Sequence, residues 1–202
     1  MSEPDFYFTI EKTAVAEYKD RGSTFLAYAY PIQTTDEFKV LLRQLKEEHP
    51  KANHHCFAYR LGNDKNLFRV SDDGEPSGSA GRPILGQIDS KQLTQIAVVV
   101  VRYFGGTLLG VPGLIHAYKT ATALVLQIVP IQQKPIEVGY ILEFEYNRMN
   151  DVMMVLKQYQ CRLEDQVQQL FCRVKVAIPR SRLQEVLFKL KDLHDVLIQK
   201  ID

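Results

Sequence analysis

The 202-residue chain has few cysteines, no excess of either charge and no long apolar run, and each shortage removes a class of protein. Cys56, Cys161 and Cys172 are odd in number, widely spaced and free of any C-x-x-C pairing. That pattern argues against a disulfide framework or a cysteine-rich zinc module and leaves reduced thiols in a cytoplasm as the simpler account. Net charge is +1, and basic and acidic residues number 14 and 14 up to residue 132 and 11 and 10 beyond it. Neither part has the basic excess of a dedicated nucleic-acid binder. No apolar stretch approaches the roughly 20 residues that span a bilayer, and the opening Met-Ser-Glu-Pro-Asp lacks a basic and then apolar leader, so neither membrane insertion nor secretion is expected. Both nucleotide-binding fingerprints, G-x-x-x-x-G-K-[ST] and G-x-G-x-x-G, are missing, as are G-x-S-x-G, the EF-hand spacing and any internal repeat.

With 46% hydrophobic residues the chain holds one large or two small domains. Tyr7 to Lys19 suits an extended segment that turns at Asp20–Ser23 into Phe25–Tyr30, a hairpin. Thr34 or Thr35 caps a helix with apolar positions Phe38, Leu41, Leu42 and Leu45, stopped at His49-Pro50. Strands are expected at His54–Leu61 and, after a turn at Gly62–Asp64, around Leu67–Val70; Ile84, Leu85 and Ile88 predict a short helix. Val98–Val101 has no alternation, which predicts a strand covered on both faces. From Pro112 the positions Leu114, Ile115, Tyr118, Ala121, Leu124, Val125 and Ile128 predict a central helix, and Pro130 with Lys134-Pro135 brackets an expected linker. Beyond it the pattern is simpler. Strands at Val138–Phe144, 160–167, 169–178 and Val196–Ile201 interleave with helices through Val152–Tyr159 and Leu183–Leu190, the split β-α-β-β-α-β arrangement of a ferredoxin-like domain.

Two stretches carry chemistry. Arg102 closes the buried strand, followed by Gly105, Gly106 and Gly110, whose backbones either hold an anion at the start of the next helix or merely permit tight turns. Thirty residues before Arg102, Asp72 opens a run in which Asp73, Gly74 and Glu75 lead into Ser77, Gly78 and Arg82. These carboxylates are candidate ligands for a hard cation, balances for Arg69, Arg82 and Arg102, or acceptors for their own loop's backbone. On the strand, His54 and Cys56 share a face and His55 looks away, so two residues alone do not make a zinc site, and a buried structural Cys56 is the simpler reading than a nucleophile. Tyr59, Phe68, Tyr103 and Phe104 either stack on single-stranded RNA bases beside Arg60, Arg69 and Arg102 or pack as core.

The order Ala52-Asn-His-His-Cys-Phe-Ala-Tyr-Arg60, Asp72-Asp-Gly-Glu-Pro-Ser-Gly-Ser-Ala-Gly81 and Val101-Arg-Tyr-Phe-Gly-Gly106, with Leu109-Gly110 and Ala117-Tyr118, closely resembles the YigZ/IMPACT family over most of residues 10 to 130. The resemblance implies an α+β protein of two domains. Residues 1–132 would form an IMPACT-type domain with a ribosomal-protein-like fold, that of the second domain of ribosomal protein S-five. Residues 136–202 would form a domain similar to the last domain of elongation factor G. It further implies a link to translation, since eukaryotic relatives control translation by binding partner proteins, while bacterial relatives lack a settled activity. Relatives usually carry a further glycine where Val111-Pro112 stand, a basic residue in place of His116 and often a glycine near Lys119-Thr120; His116 therefore implies a weaker preference for anions.

The expectation is a cytoplasmic, non-enzymatic module that binds a translation-associated protein or RNA, with a phosphate or other anion as a further candidate ligand, and without cofactor, metal or membrane. Its binding face comprises Asp72, Asp73, Gly74, Glu75, Ser77, Gly78, Arg82, Arg102, Tyr103, Gly105, Gly106, Gly110 and His116. The alternative is an enzyme acting on a small phosphorylated or anionic compound, with glycine N–H groups and Arg102 holding the anion and Asp72, Asp73 or Glu75 as metal ligands or general base. Both require the two loops to meet on one wet surface.

Overall fold

The computed structural model describes residues 4–63, 66–167 and 169–201, so Asp64 of the predicted turn and the first three residues lie outside the described residues. The chain divides into two compact units, Tyr7–Lys134 and Met1–Phe6 with Pro135–Asp202.

In the unit Tyr7–Lys134 the elements run β1 (Phe6–Ile10), β2 (Ala14–Asp20), β3 (Ser23–Pro31), α1 (Thr35–Glu48), β4 (His54–Leu61), β5 (Leu67–Ser71), α2 (Gly81–Ser90), β6 (Ile96–Tyr103), α3 (Gly110–Ile128) and β7 (Ile131–Pro135). Five strands form an antiparallel sheet in the order β2-β3-β6-β4-β5. Arg21 and Gly22 both take positive φ, 45° and 80°, the turn chemistry that joins β2 to β3. Thr34 accepts a hydrogen bond from the Glu37 N–H at 3.2 Å and caps α1, which ends at His49 ahead of Pro50.

β6 lies in the middle of the sheet and is covered on both sides, as its unbroken valines predict. Val98 and Val100 pack with Ile84 and Ile88 of α2 and Leu114 and Ala121 of α3. Val99 and Val101 pack with Phe38 and Leu45 of α1 on the other side. Strand parity then sends Arg102 to the α3 side and Tyr103 to the α1 side. Two segments differ from expectation. The extended stretch after Tyr7 breaks at residues 11–13, and the expected linker contains β7, which pairs with β1. Pro130 precedes β7 and Pro135 ends it, so neither removes a hydrogen bond from the strand's middle.

The second unit contains β8 (Glu137–Glu145), α4 (Met149–Gln158), β9 (Arg162–Val167), β10 (Phe171–Pro179), α5 (Leu183–Asp192) and β11 (Val196–Lys200), with a short 3₁₀ turn before each helix. The antiparallel sheet has the order β11-β8-β10-β9, so the β-α-β-β-α-β succession read from the sequence is present. Leu142, Phe144, Val174 and Val176 pack against Val152, Leu156, Val186 and Leu190 of the helices. The alternation that predicted β8 and β10 reflects this one covered face.

Candidate functional site

The two motif-rich segments meet through an ion pair. Arg102 Nη1 donates to Glu75 Oε1 at 2.6 Å, and the Tyr118 hydroxyl of α3 donates to the same oxygen at 2.8 Å. The guanidinium lies between the rings of Phe25 (5.4 Å) and Phe104 (5.6 Å), and Nη2 reaches Ser23 Oγ at 3.4 Å. The side chains of Arg102 and Glu75 are only 6% and 4% exposed. The loops are thus neighbours, but their leading charges neutralise each other beneath the surface rather than on it.

The remaining acidic residues organise the loop. Asp72 accepts N–H bonds from Gly78 (2.8 Å), Ala80 (3.0 Å) and Gly81 (2.8 Å), folding the segment back to start α2. Burial alone would raise the Asp72 carboxyl, but the N–H donors of Gly78, Gly81 and Ala80, with Arg82 behind them, outweigh it and hold it below the usual carboxylate value. Asp73 accepts the His55 N–H at 2.6 Å, and its carbonyl accepts Nδ1–H of His54 at 2.8 Å. Three carboxylates adjacent in sequence therefore point to three different protein partners. Among the described residues no three His, Cys, Asp or Glu side chains converge on a metal position.

Cys56 is buried, its Sγ bonded to the Asp72 carbonyl at 3.0 Å and the Tyr118 hydroxyl at 3.2 Å. Burial drives the thiol pKa well up, with Glu75, Asp73 and Asp72 adding to the rise, and the same burial raises Tyr118. A thiol so protonated is a poor nucleophile, and His54 is engaged with the Asp73 carbonyl instead of the sulfur. The side chains that the enzyme reading relies on, Arg102, Asp72, Asp73 and Glu75, each have a protein partner.

The glycines divide by role. A Cβ on Gly105 would stand 1.9 Å from the Gly22 carbonyl carbon, so Gly105 is there to let two backbones touch, its N–H donating to Ser23 Oγ at 3.2 Å. Gly106 has φ +85° and open space around it, and Gly110 begins α3 at φ +68° with no side chain capping the helix. Gly74 sits against the His54 ring, while Ser77 is exposed on the loop and Arg82 is exposed in the first turn of α2. Tyr103 is not on this face: its hydroxyl bonds His49 Nδ1 at 2.8 Å on the α1 side. His116 is also apart, exposed more than a turn into α3 and edge-on to Tyr18. Of the aromatics, Tyr59 is core, whereas Phe68 and Phe104 are exposed.

Above the ion pair opens a cleft of about 430 Å³. Glu75, Arg102 and His54 line it together with Phe104, Leu108, Val111 and Leu114. Leu108 is 83% exposed. Sequence reading singled out Phe104 but missed the apolar walls from Leu108, Val111 and Leu114 and the Tyr118 hydroxyl. The available signal was a tyrosine inside the apolar stripe of α3, because a buried phenol needs a partner.

The architecture is that of an α+β protein of two units in which Glu75, Arg102 and Gly110 line one cleft, and comparison with known proteins gives it a family. Residues 21–126 match the Impact N-terminal domain. The chain is 35% identical to the IMPACT family member YigZ of Escherichia coli (strain K12) over 89% of its own length and 88% of the relative's. It is 32% identical to an IMPACT family member of Haemophilus influenzae, covering 79% of each. A crystal structure described as that of a hypothetical protein aligns over 98% of both chains with a TM-score of 0.77 and 29% identity. The chain belongs to the IMPACT family.

Proposed function

We propose that this protein is a non-enzymatic cytoplasmic binding module that engages a protein component of the translation apparatus through the cleft above Glu75 and Arg102. Family membership supports the link to translation, because eukaryotic relatives act there by binding partner proteins. In the same reading, residues 1–132 form the ribosomal-protein-like, IMPACT-type domain and residues 136–202 a ferredoxin-like domain similar to the last domain of elongation factor G. Among the described residues no helix is long and apolar enough to cross a membrane.

The observation that carries the choice of protein over RNA is the state of Arg102. Phosphate groups are held by cations with charge to give, and this guanidinium is already bound to Glu75 at 2.6 Å. What the cleft offers instead is apolar wall, from Phe104, Leu108, Val111 and Leu114, around a neutralised polar floor. Such a site suits an apolar side chain with a few fixed polar contacts.

The test is titration of the wild type and a Leu108→Glu/Val111→Glu variant against ribosomal subunits, and separately against their extracted protein and RNA and against purified translation factors. Both substituted positions are exposed, so the fold should persist. The expected result is binding to a protein component, weakened at least roughly tenfold in the variant. Binding confined to RNA, or a variant that binds like the wild type, would remove the cleft from consideration.

A further inference from the structure

The second unit presents an open sheet face that the first site does not use. One face of β8, β10 and β11 is covered by α4 and α5; the other carries Glu143, Glu145, Phe171, Arg173 and Leu197, all exposed. Register orders them in rows. Leu197 stands opposite Glu143, which stands opposite Arg173, and one pleat further on Phe171 stands opposite Glu145. Asp195, which precedes β11 at φ 67°, lines the same groove as Glu145. The rows enclose a groove of about 380 Å³ whose walls include Phe171 and Leu197, 66% and 71% exposed.

Several other charges of this sheet are paired. Arg173 meets Glu143 at 3.4 Å, Lys175 meets Glu164 at 3.1 Å and Arg162 meets Glu137 at 2.6 Å. Glu145 and Asp195 have no cationic partner among the described residues; Glu145 accepts only the Asn147 amide at 3.1 Å. Like charges lining one groove repel each other, and exposed large apolar side chains beside them add nothing to the fold. Two carboxylates without a cation beside exposed apolar side chains are the complement of a cation with an apolar stem.

We propose that this groove is a docking site for an arginine-bearing segment of a partner protein, the guanidinium stacked on the Phe171 ring and facing the Glu145 and Asp195 carboxylates, its methylene stem on Leu197. Arginine fits better than lysine because its planar group stacks on an aromatic face while giving paired N–H bonds to a carboxylate. A nucleic acid is disfavoured because two unmatched carboxylates repel phosphate. The inference concerns the second unit alone and stands independently of the cleft above Glu75.

The full-length protein would be titrated by amide NMR with the blocked peptide Leu-Arg-Leu and with its lysine and citrulline counterparts. The arginine peptide is expected to shift the resonances of Glu145, Phe171, Asp195 and Leu197, the lysine peptide to bind several-fold more weakly, and the neutral citrulline peptide to leave them in place. Glu145→Gln/Asp195→Asn should weaken the arginine peptide at least about tenfold, and Phe171→Leu should erase the preference for arginine over lysine. Because the double variant removes a repulsion, it should melt at or above the wild-type temperature. Citrulline binding equal to arginine, shifts confined to other residues, undiminished binding by the double variant, or a lower melting temperature for it would each overturn the assignment.

Discussion

Arg102 in β6 and Arg173 in β10 are both strand arginines facing a glutamate, and their settings are opposite. Arg102 sits 2.6 Å from Glu75 with the two side chains 6% and 4% exposed; Arg173 sits 3.4 Å from Glu143 with side chains 60% and 49% exposed. The first pair is enclosed by Phe25, Phe104 and Tyr118, so each charge depends on the other for its solvation. The second is hydrated and needs no partner. The residues most eye-catching in sequence are thus the ones whose charge is consumed inside the molecule, whereas unremarked carboxylates near Arg173 face outward unmatched.

The largest effect that would break this contrast lies at Arg102. Arg102→Ala leaves Glu75 charged, buried and without its cation, and is expected to destabilise the unit Tyr7–Lys134 by about 3–5 kcal/mol, a large part of the stability of an ordinary domain. Denaturant unfolding followed by circular dichroism measures it. Arg102→Met combined with Glu75→Leu should recover most of the loss, because well-packed apolar replacements of a buried pair are often neutral or better. A single-variant cost under about 1 kcal/mol would mean the pair behaves as a surface contact.

Asp72 supplies a second, smaller test of internal consumption. Its three N–H donors hold the folded carboxyl below its ordinary value. A depressed folded pKa gives stability that is fully present above the unfolded value, about 3.9, and is lost as pH falls through the folded value. Asp72→Asn should therefore cost about 1.5–3 kcal/mol near neutrality and flatten the decline in stability that the wild type shows below about pH 4. Equal acid slopes in the two proteins would show that the loop is held by something other than this carboxylate.

Much of the architecture was open to sequence reading because apolar periodicity reports directly on burial. Val138, Tyr140, Leu142 and Phe144 alternate since one side of β8 is covered, and Val98–Val101 does not alternate since both sides of β6 are. The candidate site was legible only in part. That Glu75 and Arg102 share a place was suggested by residue type, but a carboxylate carries no local sign of whether water or protein surrounds it, so a wet face was expected where a buried pair exists. Tyr103 was drawn into the site by adjacency to Arg102, though consecutive strand residues point to opposite faces and its hydroxyl belongs with His49. Gly105 reads the same as Gly106 in sequence; only the approach of the Gly22 backbone separates a packing glycine from a free one.

The smallest expected effect sharpens the comparison most, because it uses the same residue type in the same kind of element. Arg173→Ala removes a hydrated pair and a side chain that covers little, so its cost should stay below about 1 kcal/mol and shrink further in high salt. Measured beside Arg102→Ala under identical denaturant conditions, it should leave a gap of at least about 2 kcal/mol between two arginine deletions. The salt dependence separates the causes: added salt screens the exposed Arg173–Glu143 contact but has little access to Arg102 and Glu75. If the two variants lost equal stability and responded alike to salt, burial would not be what distinguishes the ends of these two strands, and the neutralised floor assigned to the cleft would have to be given up.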